Sequence, residues 1–355
     1  MSWLAPARAT VRALRQRGAH AVLLHGPAGT GKWDLAMDIA RDELCERRQD
    51  ASCACGQCPS CLLFAAGTHP DLRVIVPDAL ARRRPGPAAD DEEPEAADTS
   101  TTASKSKPSR EIKIDQVRDL AALIGVTTHR AGERVIVLGP VETLNAAAAN
   151  SLLKSLEEPP PQSLFLLVAD QVDRCLPTVL SRCALVRVPV PPREQALAWL
   201  ATQGMVEDAG ARLADAGGAP LAVVRDDAEA LDASLRASLV GLLRRGVALR
   251  PADIASEVPR TVPIGPSVAL FQRWGWDYFS FRTGGGLRYH PEEARTFELL
   301  AERWSLGAAS GWMERLARLA AVAEHPLNPR SAVEGALLDY WQSLAGAGDR
   351  TQGSE

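Results

Sequence analysis

No apolar run in the 355 residues reaches the roughly 18 needed for a membrane span. The start, Met1-Ser2-Trp3-Leu4-Ala5-Pro6, lacks the charged region and apolar stretch of a secretion signal. These absences lead us to expect a cytoplasmic protein. A basic excess is lacking too: 40 Lys and Arg stand against 44 Asp and Glu, a net charge of -4, which argues against a strongly basic nucleic-acid binder acting alone. What remains is a globular composition, 46% hydrophobic and 24% charged, long enough for two or three domains. Four of the seven cysteines form a tight group, which suits a metal site in a reducing compartment better than a disulfide framework.

The first informative stretch runs from His20 through the apolar Ala21-Val22-Leu23-Leu24 to Gly26-Pro27-Ala28-Gly29-Thr30-Gly31-Lys32, with helical spacing from Asp34 to Ala40. A buried strand entering a glycine loop and then a helix is the context of a phosphate-binding loop, and Gly26, Gly31 and Lys32 have the G-x-x-x-x-G-K spacing. The next residue should carry a hydroxyl for Mg²⁺. Here it is Trp33, whose indole cannot ligate a hard cation. The loop therefore reads as vestigial for hydrolysis, with nucleotide occupancy left open.

Cys45, Cys55, Cys58 and Cys61 have the spacing C-x9-C-x2-C-x2-C, with Gly56 and Pro59 inside the tight turns. Four thiolates close a tetrahedral Zn²⁺ shell and leave no position for water, so the expected site is structural. An iron-sulfur cluster or free thiols are the alternatives, and Cys53 is a competing ligand for Cys55. Cys175 and Cys183 read as buried small residues. His69, before Pro70, reads as a turn residue.

Leu72–Pro77 is expected as a second buried strand, and Arg134–Leu138 as a third. Between them, about 79–110, lies a polar segment with the acidic run Asp90-Asp91-Glu92-Glu93 and almost no large apolar residue, expected to be disordered. Helical spacing resumes at Val117, Leu120, Leu123 and Ile124. A working ATPase of this kind ends its third strand in an Asp-Glu pair, for Mg²⁺ and the attacking water. Gly139-Pro140 stands there instead, with Glu142 beyond it. The next helix spans 145–158, with Ala148, Leu152 and Leu156 on one face, and is stopped by Pro159-Pro160-Pro161.

The run Asn150-Ser-Leu-Leu-Lys-Ser-Leu-Glu-Glu-Pro-Pro160, the strand 164–168 and Leu180-Ser181-Arg182-Cys183 together resemble the DNA polymerase III clamp-loader branch of the AAA+ superfamily. The cysteine group and Gly67-Thr-His-Pro-Asp71 point the same way. The likeness covers 20–183 well and is weak beyond 225. It implies an α/β fold: an AAA+ P-loop-type parallel-sheet domain (1–188) with a zinc module (about 45–61), a small helical lid (189–228), an all-α collar for oligomerisation (229–345) and a tail (346–355). Arg182 falls on the family's arginine, which reaches in trans toward the ATP of a neighbouring gamma or tau subunit. Cys45, Cys55, Cys58 and Cys61 fall on the family's zinc ligands. Gly217-Gly218-Ala219-Pro220-Leu221 stands where active relatives carry a nucleotide-sensing arginine, a third departure from an ATPase.

The resemblance thus implies a non-hydrolysing subunit of a DNA-directed DNA polymerase (nucleotidyltransferase) holoenzyme. Its implied partners are the delta subunit, gamma or tau and, through the complex, the sliding clamp and primed DNA. An active ATPase using Lys32 and Glu142, and a zinc-bearing DNA-binding adaptor, are the competing readings. Within 271–279, Phe271, Trp274, Trp276, Tyr278 and Phe279 stand near Arg273 and Arg282; at helical spacing they read as core in preference to a base-stacking surface.

Overall fold

A computed structural model describes residues 1–48, 53–81, 109–118, 133–224, 231–323 and 327–345. Most of the polar segment expected at about 79–110, the positions Leu120, Leu123 and Ile124, and the tail at 346–355 lie outside the described residues. Two compact units divide the chain, Met1–Gln195 and Ala196–Glu355.

The first unit is built on a parallel sheet of five strands: β1 (Ala21–His25), β2 (Leu72–Ile75), β3 (Arg134–Leu138), β4 (Ser163–Ala169) and β5 (Ala184–Arg187). Their spatial order is β2-β3-β4-β1-β5. All residues of β3 and β4 are buried, Arg134 and Ser163 at their starts included, and the apolar runs 135–138 and 164–169 suit parallel strands covered on both faces. β2 departs from the buried strand expected: among the described residues it pairs on one side only, with β3, and Val74 is 42% exposed. Around the sheet lie α1 (Ala5–Gln16), α2 (Lys32–Leu44), α4 (Ala146–Glu157) and α5 (Pro177–Leu180), and α3 (Pro59–Ala65) packs against α2. Leu35, Ala36, Ile39 and Ala40 of α2 are buried over β3 and β4. Asn145 caps α4 by accepting the Ala148 N–H at 2.8 Å, and Ala148, Leu152 and Leu156 form its buried face.

Strand order positions the chemistry. β1 lies between β4 and β5, with His25 opposite Ala169 and Arg187. The loop leaving β1 therefore emerges beside the one leaving β4, at the carboxyl ends where open α/β sheets bind ligands. Gly26 is needed there: its φ is +150°, and a Cβ would run into the Val188 carbonyl oxygen.

The second unit is helical. Ala196 and Leu200 of α6 (Arg193–Thr202), Ala209 and Leu213 of α7 (Ala209–Asp215) and Val223 of α8 (Pro220–Val224) share a small core. A larger core joins α9 (Ala233–Arg245), α10 (Pro251–Glu257), α11 (Ile264–Arg282), α12 (Ala294–Ala301), α13 (Leu306–Ala321) and α14 (Pro329–Ala345). Phe271, Trp274 and Tyr278 lie inside it with Phe297, Trp304, Trp312 and Tyr340. The core reading of that aromatic run is right for those three, but Trp276 turns outward and is 56% exposed. No helix among the described residues is long and apolar enough to cross a membrane.

Candidate nucleotide loop, metal centre and surface arginine

Glycines at positive φ (Gly26, Gly29 and Gly31) shape the loop after β1, and Gly31 caps α2. Lys32, first in α2, is only 3% exposed. Its ammonium donates to the Pro27 carbonyl at 2.6 Å and pairs with Asp170, just past β4, at 2.6 Å. The cation a P-loop offers to phosphate is thus held by a carboxylate of the same chain. Thr30 is buried and donates to Pro27 O, while the buried Trp3 indole donates to Thr30 O at 2.9 Å. Trp3 braces the loop from outside the motif, and nothing in the sequence signalled that. Trp33 follows Lys32 in the first turn of α2 and is half-buried.

Gly139 and Pro140 stand where an ATPase carries its carboxylate pair, and the first of these positions is crowded. A Cβ on Gly139 would lie 2.7 Å from the Val168 carbonyl oxygen. Glu142 accepts the N–H groups of Asp170 and Gln171 at 2.9 and 3.0 Å, and burial raises its carboxyl above the ordinary range. It serves the turn after β4. His25 is held below its usual range by burial, with Arg187 and Lys32 adding to the effect.

Cys45, just past α2, Cys55, in the loop that follows, and Cys58 and Cys61, at the start of α3, bring four sulfurs within 4.8 Å of one another. Cys45–Cys58 and Cys55–Cys61 sulfurs are 3.9 and 4.0 Å apart. A tetrahedron with metal–sulfur bonds of about 2.3 Å has edges of about 3.8 Å, so the thiols fit one ion. Backbone N–H groups of Cys55, Cys58 and Cys61 point at the sulfurs of Cys45, Cys55 and Cys58, at 3.3 to 3.4 Å. Burial alone would push the Cys58 thiol up, but hydrogen bonds from the Cys61 backbone and thiol bring it down to about 6. Burial and the neighbouring Cys58 push Cys61 up to about 12. Cys53 stands outside the group, exposed, and receives the Arg8 guanidinium at 3.5 Å. Cys175 is buried and Cys183 half-buried, and burial pushes both thiols up to about 12. His69 accepts the Asp71 N–H at 3.1 Å, as a turn residue does.

Arg182 follows the single turn of α5, between it and β5. Its side chain is 31% exposed. Nε donates to Glu157 at 2.6 Å, Nη1 to the Thr178 carbonyl at 2.8 Å and the Ser181 hydroxyl at 3.1 Å, and Nη2 to Glu157 again. Glu157 ends α4 and lies in the glutamate-proline run quoted above. Gly217 and Gly218 belong to the second unit, both at positive φ, and the Gly217 carbonyl accepts Arg288 Nε at 2.7 Å.

Residues 9–192 match the family described as DNA polymerase III, delta subunit. The chain is 36% identical over 353 residues to the DNA polymerase III subunit delta' of Pseudomonas aeruginosa, covering 94% of this chain and 95% of the relative. It is 33% identical over 191 residues to the subunit delta' of Haemophilus influenzae, covering 54% and 49%, about half of that relative's length. Among solved structures, a DNA polymerase III gamma subunit-related protein of Thermotoga maritima aligns over 95% of this chain and 99% of its own. Its 15% identity and TM-score of 0.39 add nothing to the sequence matches.

Proposed function

Because the chain belongs to the DNA polymerase III delta-prime family, we propose that it is a clamp-loader subunit that hydrolyses no ATP itself and lends Arg182 to the ATP site of a neighbouring subunit. The observation that carries this reading is the contrast between two cations. Lys32 is buried and paired with Asp170, while Arg182 is partly exposed at the surface. A guanidinium placed beside another subunit's γ-phosphate offsets the charge that develops there, an effect of about 10³ to 10⁵ in rate in other systems. In this reading the neighbours are gamma or tau and the delta subunit, and the complex loads the sliding clamp onto primed DNA. Residues 189–228 act as the lid and 229–345 as the collar.

The metal in this reading is zinc, held by Cys45, Cys55, Cys58 and Cys61. Four soft thiolates at single-ion spacing favour Zn²⁺ over a multi-iron cluster, which would spread its ligands further apart. With all positions filled by sulfur, the ion would tie α2 to α3 and take no part in a reaction.

The active-ATPase alternative gains no support from Glu142, whose carboxyl is held by two backbone N–H groups. ATP turnover decides between the two. The isolated chain is expected to show none above background, and with delta and gamma or tau it is expected to support DNA-stimulated turnover. Turnover by the isolated chain would contradict the reading.

A further inference from the structure

We infer that Glu157 is the positioning residue for Arg182, fixing the guanidinium so that one N–H is left to point away from its own chain; this rests on the trans role proposed for Arg182. A guanidinium carries five N–H groups in one plane. Among the described residues, Nε uses its hydrogen on Glu157, Nη1 uses both of its own on Thr178 and Ser181, and Nη2 uses one on Glu157. One Nη2 hydrogen remains. The group can therefore meet a phosphate oxygen without giving up any contact it already makes.

Three features make Glu157 the determinant of that orientation. It is the only one of the three acceptors that carries charge, and one of its oxygens accepts from both Nε and Nη2, so it holds one whole edge of the guanidinium. It ends a twelve-residue helix anchored by Ala148, Ala149, Leu152 and Leu156, so its backbone position is set by the core of the unit. The Thr178 and Ser181 acceptors belong to the short segment that carries Arg182 itself, and they move with it. Without Glu157, the guanidinium keeps only those local contacts and its long side chain regains rotamers. Ordering those rotamers would then oppose each approach to the transition state. A glutamate that merely neutralised the arginine until a partner displaced it would act in the opposite direction, because its removal would free the finger and raise turnover.

The test is DNA-stimulated ATP turnover at saturating ATP by the reconstituted complex containing this full chain as wild type, Glu157→Ala, Glu157→Gln, Arg182→Ala or the double Ala variant, with assembly checked by size-exclusion chromatography. Exposed pairs of this kind contribute modestly, so Glu157→Ala is expected to lower kcat about three- to fivefold. Glu157→Gln, which keeps an acceptor, is expected to lose less. Arg182→Ala is expected to lose tenfold or more, and adding Glu157→Ala to it is expected to change nothing further. If Arg182→Ala retains full turnover, the trans role of Arg182 fails and the role of Glu157 falls with it. If Arg182→Ala is impaired but Glu157→Ala is not, is faster than wild type, or adds its own loss in the Arg182→Ala background, only the positioning role is overturned.

Discussion

Lys32 and Arg182 are the two cations that the motifs of the first unit single out, and the fold treats them in opposite ways. The Lys32 side chain is 2% exposed and paired with a carboxylate that the sheet order delivers to it. The Arg182 side chain is 31% exposed, on a one-turn segment, with every acceptor but one drawn from that same segment. A motif's residue type does not fix the surroundings its side chain receives. Lys32, at the P-loop lysine position, is buried against Asp170 under a loop that Trp3 braces, while Arg182 stays partly exposed.

That comparison can be broken by perturbing each side and asking whether stability or trans activity responds. The largest loss of stability is expected from Cys58→Ser, since Cys58 is fully buried and is one of the four close thiols. Metal content should drop and the first unit should lose several kcal/mol, on the order of 3 or more, because metal binding is folding energy in such modules. Metal analysis and denaturant unfolding report both, and unchanged metal content would remove Cys58 from the ligand set. Next is Trp3→Ala, which deletes a buried indole over the loop and should cost about 3 kcal/mol in denaturant unfolding without conferring ATP turnover on the isolated chain.

Smaller effects follow. Asp170→Asn replaces the carboxylate that pairs with the buried Lys32 ammonium by a neutral amide, leaving that charge with only neutral acceptors among the described residues. Because Asp170 is 34% exposed and water screens the pair, the cost should be about 1–2 kcal/mol, below that of breaking a fully buried pair. The smallest change in stability is expected from Glu157→Ala, less than about 1 kcal/mol, since this pair is partly exposed on both sides. A large loss of stability in Glu157→Ala would place the arginine among the structural cations and erase the contrast with Lys32.

Much of the first unit was legible in sequence because its signals are local. Strands β3 and β4 are apolar after their first residues, Arg134 and Ser163, α4 has a capping asparagine and a proline stop, and the cysteines carry their geometry in their spacing. What escaped were contacts between distant positions. Trp3 with Thr30, Asp170 with Lys32 and Glu157 with Arg182 depend on which strands and helices become neighbours. Nothing near Asp170 says that β4 lies beside β1; only the sheet order does. β2 was misjudged for the same reason, since its apolar sequence reads as buried while its place at the sheet edge exposes Val74. In the second unit, helical spacing identified Phe271, Trp274 and Tyr278 as core but gave no warning that Trp276 turns outward.

The most direct test sets the two cations against each other in one assay. DNA-stimulated ATP turnover is measured for the clamp-loader complex reconstituted with this chain as wild type, Lys32→Ala or Arg182→Ala, each confirmed to assemble. Wild-type turnover is expected with Lys32→Ala and a loss of tenfold or more with Arg182→Ala. Turnover that falls with Lys32→Ala and survives Arg182→Ala would contradict the trans role of Arg182.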